Sequence, residues 1–113
     1  MSMHMNWTAI GNVSDIPRRG ARCVNTPAGK IAIFRTADDQ VFAVDDQCPH
    51  KKGPLSQGIV HGTSVTCPLH NWVISLETGE ARGQDVGKTR TIPLKLDGDT
   101  IMLGLSALVE DAA

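Results

Sequence analysis

The sequence lacks a strong net charge, a long apolar run and an even number of cysteines. With 113 residues and a net charge of −1, nothing indicates nucleic acid or an anionic membrane as a partner. No stretch approaches the roughly 18 apolar residues of a membrane helix. The N-terminus MSMHMNWTAI lacks the basic and apolar regions of a secretion signal. Because the three cysteines fit a reducing interior better than a secreted disulfide framework, we expect a cytoplasmic protein.

The sequence also lacks any window with the period of a long amphipathic helix, whereas apolar residues alternate at the period of strands. The length fits a single domain over residues 1–113. We predict three hairpins and three further strands. The dipeptide Asp97-Gly98 is expected to form the turn of the last hairpin along the chain. The hairpins pair 92–96 with 101–105, 30–36 with 40–45, and 59–61 with 63–66, and the further strands are 7–10, 21–25 and 72–76. Residues 13–19 predict a short helical turn. The pattern indicates an all-β antiparallel sandwich or barrel.

One short phrase occurs twice, as CPHKKG at residues 48–53 and as CPLHNW at residues 67–72. The two copies flank the hairpin at 59–66, so both fall on loops, and a cluster-binding part spans about residues 46–76. We therefore expect four side chains to converge, namely Cys48, His50, Cys67 and His70. Thiolate and imidazole together suit zinc or an iron–sulfur centre.

The spacing of these ligands separates the two kinds of metal site. Zinc sites usually pair Cys with Cys in one knuckle and His with His in the other. Here each loop supplies one Cys and one His, which fits a two-iron cluster with both thiolates on one iron and both imidazoles on the other. A structural zinc domain acting as an interaction module remains the alternative.

The motif Cys-x-His followed by Cys-x-x-His resembles that of Rieske clusters. The stretches HKKGPLSQGIVHG and VTCPLHNWVISLETGEA are similar to the small subunit of assimilatory NAD(P)H-dependent nitrite reductase. This resemblance implies a Rieske fold and a 2Fe–2S cluster, with Cys48 and Cys67 on one iron and His50 and His70 on the other. It also implies electron transfer that supports the reduction of nitrite to ammonia. The implied partner is the large subunit that holds flavin, siroheme and a 4Fe–4S centre, and the chain itself is expected to have no catalytic residue or substrate pocket.

Two departures from related families narrow the resemblance. Respiratory Rieske proteins carry a disulfide between the two loops, but the matching positions here are Gly53 and Leu69. Ferredoxins of ring-hydroxylating oxygenases also resemble the chain, yet they usually have a proline in a third loop over the cluster. Residues 84–88 contain none, and Asn71-Trp72 replaces their commoner small residue after the last ligand. Both points favour nitrite reductase, with a free-standing oxygenase ferredoxin as the alternative.

Cys23, the remaining cysteine, lies in the predicted strand 21–25 and has no neighbour at ligand spacing. We expect it to be a small buried apolar residue without a redox role. Trp72 is likewise predicted to pack in the core.

The sequence leads to a prediction for the reduction potential. Rieske potentials run from about −150 to +300 mV, depending on hydrogen bonds to the sulfurs and on burial. Because the interloop disulfide cannot form and few hydroxyl groups lie beside the ligands, we expect a potential at the low end of that range. A redox titration measures it, and a strongly positive midpoint would contradict the prediction.

Overall fold

A computed structural model of the chain describes residues 7–27, 29–49, 53–68, 71–83 and 86–104. Within these ranges it contains nine strands and two 3-10 helices, the latter over Val13–Asp15 and Leu55–Gln57. The strands are β1 (Trp7–Asn12), β2 (Ala21–Thr26), β3 (Gly29–Arg35), β4 (Val41–Asp45), β5 (Ile59–His61), β6 (Ser64–Thr66), β7 (Val73–Ser75), β8 (Leu94–Asp97) and β9 (Thr100–Gly104). The all-β prediction is confirmed. None of the helical segments in these ranges has the length and apolar character needed to cross a membrane.

The strands form three antiparallel sheets of three strands each within the described residues, in the orders β1-β9-β8, β2-β3-β4 and β5-β6-β7. The predicted hairpins β3–β4, β5–β6 and β8–β9 are all present. β1, predicted as the strand 7–10, lies at the edge of its sheet, and its partner β9 comes from the opposite end of the described chain. The short helical turn predicted at 13–19 is the 3-10 helix over Val13–Asp15.

The β2-β3-β4 sheet is the middle layer, because β3 is buried on both of its faces. Ile31 and Ile33 belong to an apolar cluster shared with Ile101 and Leu103 of β9. Ala32 and Phe34 belong to a second cluster on the other face, together with residues of the β5-β6-β7 sheet. Since successive side chains of a strand point to opposite faces, the apolar run of β3 joins the two cores.

The turn of the β8–β9 hairpin is displaced by one residue from the prediction. Asp97 pairs with Thr100, so the two-residue loop is Gly98-Asp99 rather than Asp97-Gly98. Gly98 has φ +63°, as a turn with glycine at its first central position requires. Asp99 is held in the loop by the first 3-10 helix, since the Ser14 hydroxyl donates to its carboxylate (2.7 Å) and its carbonyl accepts from the Val13 N–H (2.8 Å).

After β7, the chain forms a third loop that returns to β4. Its stem is held by the Thr89 N–H donating to the Gly79 carbonyl (2.8 Å) and the Ala81 N–H donating to the Gly87 carbonyl (2.9 Å). Gly79 is buried, with φ +81°, and a Cβ atom there would overlap the carbonyl oxygen of Thr89. The loop stem therefore requires glycine at this position.

Replacing Gly79 with alanine is expected to lower the free energy of unfolding by about 2–5 kcal/mol, from left-handed backbone strain and from overpacking. Gly83→Ala is the matched control, because Gly83 has φ +76° but no atom within 4 Å of the point that a Cβ atom would occupy. It should lose only about 1–2 kcal/mol from backbone strain. Urea unfolding measures both values, and equal losses would show that the overlap with Thr89 is relieved without cost.

Candidate metal centre

Cys48 and Cys67 occupy equivalent positions at the bases of two loops. Cys48 follows β4 and Cys67 follows β6. The Cys48 N–H donates to the Gly53 carbonyl (2.8 Å), and the Cys67 N–H donates to the Trp72 carbonyl (2.7 Å). In both loops the cysteine and the residue that accepts its hydrogen bond are equally far apart along the chain. The two loops enclose residues 49–52 and 68–71. The repeated phrase in the sequence is thus a repeated loop closure in the structure.

The two cysteine side chains are fully buried in one apolar cluster. Both have no exposed surface, neither forms a disulfide, and both pack in the cluster that contains Leu55, Val60 and Val65. Thiolate sulfur is a soft ligand that suits zinc and iron–sulfur clusters. Two cysteine thiols at the bases of adjacent loops therefore fit the sulfur half of a 2Fe–2S site.

The two predicted histidine ligands, His50 and His70, lie outside the described residues. The sequence places one in each of the two closed loops, between Pro49 and Gly53 and between Pro68 and Asn71. Among the described residues, no group of three or more His, Cys, Asp or Glu side chains is gathered, but that set contains only two of the four predicted ligands. The assignment of all four residues as ligands stays a prediction.

The second loop ends at Asn71, which has a left-handed backbone conformation, and is closed by the carbonyl of Trp72. Asn71 has φ +59°, a conformation that asparagine tolerates better than most L-residues. Trp72 is half-buried and packs against the apolar cluster that holds both cysteines. Trp72 thus contributes to core packing, as predicted, and forms one wall of the cysteine-containing cluster.

The third loop lies against both cysteine loops. A Cβ atom on Gly87 would sit 3.0 Å from Cβ of Pro49 and 3.4 Å from the ring of Trp72, so the backbone itself makes this contact. Its neighbour Val86 is 88% exposed. Residues 84–88 contain no proline, and Gly87 stands at the point where this loop comes closest to Pro49 and Trp72.

Two consecutive carboxylates at the end of β4 tie the first loop to other segments. Asp45 forms a bidentate ion pair with Arg90 (Nε–Oδ2 3.1 Å and Nη2–Oδ1 3.0 Å), which anchors the return of the third loop. The Asp46 carboxylate accepts hydrogen bonds from the backbone N–H and the hydroxyl of Ser56, both at 2.7 Å. Sequence reasoning missed these residues. The available signal was a pair of charged residues directly after an apolar strand.

The prediction that Cys23 is buried was wrong, because its side chain is exposed. Cys23 pairs with Ala32 across the β2–β3 ladder and so faces the same side as the cysteine-containing cluster. However, β2 is an edge strand, and the cluster does not extend over it at this point. Partial burial, and then a hydrogen bond to Asp46, raise the pKa of the Cys23 thiol.

Comparison with known proteins gives a consistent family match. The family model described as Rieske [2Fe-2S] domain matches residues 6–93. The biphenyl dioxygenase ferredoxin subunit of Pseudomonas sp. (strain KKS102) is 30% identical over 104 residues, covering 90% of this chain and 94% of that protein.

Two solved structures share the fold at lower identity. The ferredoxin of carbazole 1,9a-dioxygenase from Nocardioides aromaticivorans IC177 has a TM-score of 0.79 at 20% identity, covering 87% of this chain and 96% of its own. A Mycobacterium tuberculosis protein provisionally named as an NADH-dependent nitrite reductase small subunit has a TM-score of 0.78 at 22% identity, covering 87% and 93%. At these identities, the likeness establishes the fold alone.

The predicted ligand set can be tested by single substitutions. Cys48→Ala, Cys67→Ala, His50→Ala and His70→Ala should each abolish or alter the Rieske spectrum, because each would remove one of the four predicted bonds between the protein and iron. Cys23→Ala is the control and should retain about two irons per chain with matching acid-labile sulfide. Iron and sulfide analysis with electron paramagnetic resonance (EPR) measures the outcome. Bleaching by Cys23→Ala but not by His70→Ala would contradict the assignment, and colourless protein loaded with zinc would favour the structural zinc site.

Proposed function

The chain belongs to the Rieske [2Fe-2S] domain family, and we propose that it is the electron-transferring small subunit of an NAD(P)H-dependent nitrite reductase. Family membership establishes the coarser part, a Rieske electron carrier with a 2Fe–2S cluster. The nitrite reductase partner is the proposal. It rests on the similarity of residues 50–62 and 65–81 to that family and on the proline-free third loop.

The residues of this chain would hold the cluster in a defined way. Cys48 and Cys67 would bind one iron, and His50 and His70 the other. When bound, a Rieske cluster supplies one-electron transfer at a potential raised by its two neutral imidazole ligands. The protein buries the two thiols in an apolar cluster, which excludes water from the sulfur side. The loop closures at Gly53 and Trp72 bring together the two ends of each loop in which the sequence has a predicted histidine ligand.

One groove among the described residues is separate from the two cysteine thiols. An open groove of about 370 Å³ lies beside β4 and the start of β8. Its lining includes Phe42, Leu76 and Ile92, and Glu77 is its one ionisable side chain. Neither Cys48 nor Cys67 lines it. The groove thus gives no access to the buried thiols.

The observation that carries the choice of nitrite reductase is the packing of the third loop. Gly87 lies against Pro49 and Trp72, where oxygenase ferredoxins usually have a proline over the cluster. Trp72, which closes the second loop, lies next to Gly87 of the third loop, where the lack of a side chain leaves room for the indole ring. The three cysteines form no disulfide, which fits a reducing, cytoplasmic setting for such a complex.

An oxygenase ferredoxin is the second candidate. It is favoured by the full-length match to the biphenyl dioxygenase ferredoxin subunit, which has 30% identity over 90% of this chain. In that role the chain would deliver electrons to a ring-hydroxylating oxygenase instead of assembling with a siroheme reductase.

Deleting the coding gene should abolish growth on nitrite as sole nitrogen source, because electrons would no longer reach the reductase. Growth should return with the wild-type gene and with Cys23→Ala, but not with Cys48→Ala. Purified chain should also bind the siroheme-containing large subunit encoded in the same genome and restore NAD(P)H-dependent formation of ammonia. Unchanged growth on nitrite, with restored turnover of a ring-hydroxylating oxygenase instead, would overturn the proposal in favour of the second candidate.

A further inference from the structure

The two cysteine loops are anchored by different means. The second loop continues a regular β-ladder, in which Thr66 of β6 pairs with Val73 of β7 immediately outside the Cys67–Trp72 closure. The first loop is closed by Cys48 and Gly53, but its flanking segments form no strand pair with each other among the residues described. A different interaction must therefore hold the two sides of the first loop together.

That interaction is the hydrogen-bonded pair of Asp46 and Ser56. Asp46 lies just before Cys48, and Ser56 lies just after Gly53, so the pair is the next link outside the loop closure. Oδ1 of Asp46 accepts from the Ser56 backbone N–H, and Oδ2 accepts from the Ser56 hydroxyl, each at 2.7 Å. Hydrogen bonds to a charged acceptor are shorter and stronger than neutral ones. One side chain thus takes the place of a strand pair.

Asp46 is itself fixed to the middle sheet. Its N–H donates to the Lys30 carbonyl of β3 (3.0 Å), and the residue is only 8% exposed. On the other side of the link, Leu55 precedes Ser56 and is fully buried in the cluster that contains Cys48 and Cys67. A displacement of Ser56 would therefore move a side chain that packs in the same cluster as both thiols.

We propose that Asp46 is a positioning residue for the Cys48–His50 half of the metal centre. Its carboxylate clamps the two sides of the first loop onto the middle sheet, so that the loop presents its ligands in one geometry. This inference rests on the proposed ligand assignment, and it adds a residue outside the ligand set. The second loop needs no such residue, because the β6–β7 ladder performs the same task.

Hydrogen exchange measured by mass spectrometry on the full chain tests the clamp, with the second loop as an internal control. In Asp46→Ala, exchange in peptides covering residues 46–56 should become roughly tenfold faster or more, as loss of a charged hydrogen-bond acceptor implies. Peptides covering residues 64–74 should stay within about twofold of wild type, since the ladder persists. Asp46→Asn keeps one acceptor oxygen and should fall between wild type and Asp46→Ala, and Ser56→Ala should weaken the clamp without touching the carboxylate.

The reduction potential and the EPR g-values of the reduced cluster test positioning against mere stability. Both should shift in Asp46→Ala and partly recover in Asp46→Asn. Asp39→Ala is the matched control, because the Asp39 carboxylate likewise accepts more than one hydrogen bond, from Arg18 and Arg35, but lies in the turn before β4. It should lower the melting temperature and leave the potential and g-values unchanged.

Two results would overturn the role of Asp46. One is equal acceleration of exchange in both loops, and the other is a fully loaded Asp46→Ala protein with wild-type g-values and potential. Wild-type protein without iron and sulfide would instead overturn the proposed function. The exchange comparison would still decide whether Asp46 clamps the first loop, because it requires no bound cluster.

Discussion

The burial of β3 on both faces is the constraint on which the rest of the structure depends. Ile31 and Ile33 pack toward the β1-β9-β8 sheet, whereas Ala32 and Phe34 pack toward the β5-β6-β7 sheet. All four side chains have no exposed surface. A strand buried in this way reads as a continuous apolar run rather than an alternating one, and it allows a small chain to build two cores on one sheet.

The candidate metal centre is an extension of the second core. Cys48 and Cys67 are packed as core residues, so the surroundings of the sulfur atoms are set by the packing of the three-stranded sheet beside them. The segments that flank the loops are held by polar links: the β6–β7 ladder for the second loop, the Asp46–Ser56 hydrogen bonds for the first, and the Asp45–Arg90 ion pair for the return of the third. Apolar packing buries the two thiols, and the polar links hold the bases of the loops together.

Local features of the fold could be predicted from the sequence, and non-local ones could not. Alternation and turn residues were sufficient to predict the β3–β4, β5–β6 and β8–β9 hairpins. The displacement of the last turn by one residue has a distant cause, since Asp99 is held by Ser14 from the other end of the described chain. The pairing of β1 with β9 is non-local in the same way.

The candidate site shows the same division between local and non-local features. The repeated Cys-Pro phrase predicted that Cys48 and Cys67 lie on two loops, because that signal is local. The partnership of Asp46 with Ser56 could not be predicted, since it depends on how the chain folds back after the first loop. The burial of Cys23 was predicted wrongly because a strand pattern does not reveal which strand lies at the edge of a sheet.

The position of Cys23 has a consequence for the handling of electrons near the protein surface. An exposed thiol on the same molecule as a redox centre could act as a competing target for oxidants, because thiolates are the reactive form. Partial burial and the neighbouring Asp46 raise the pKa of the Cys23 thiol, which lowers its thiolate fraction at any given pH. Burial, together with the Asp46 carboxylate that also bonds to Ser56, thereby makes Cys23 less reactive toward alkylating reagents and oxidants than a fully solvated thiol.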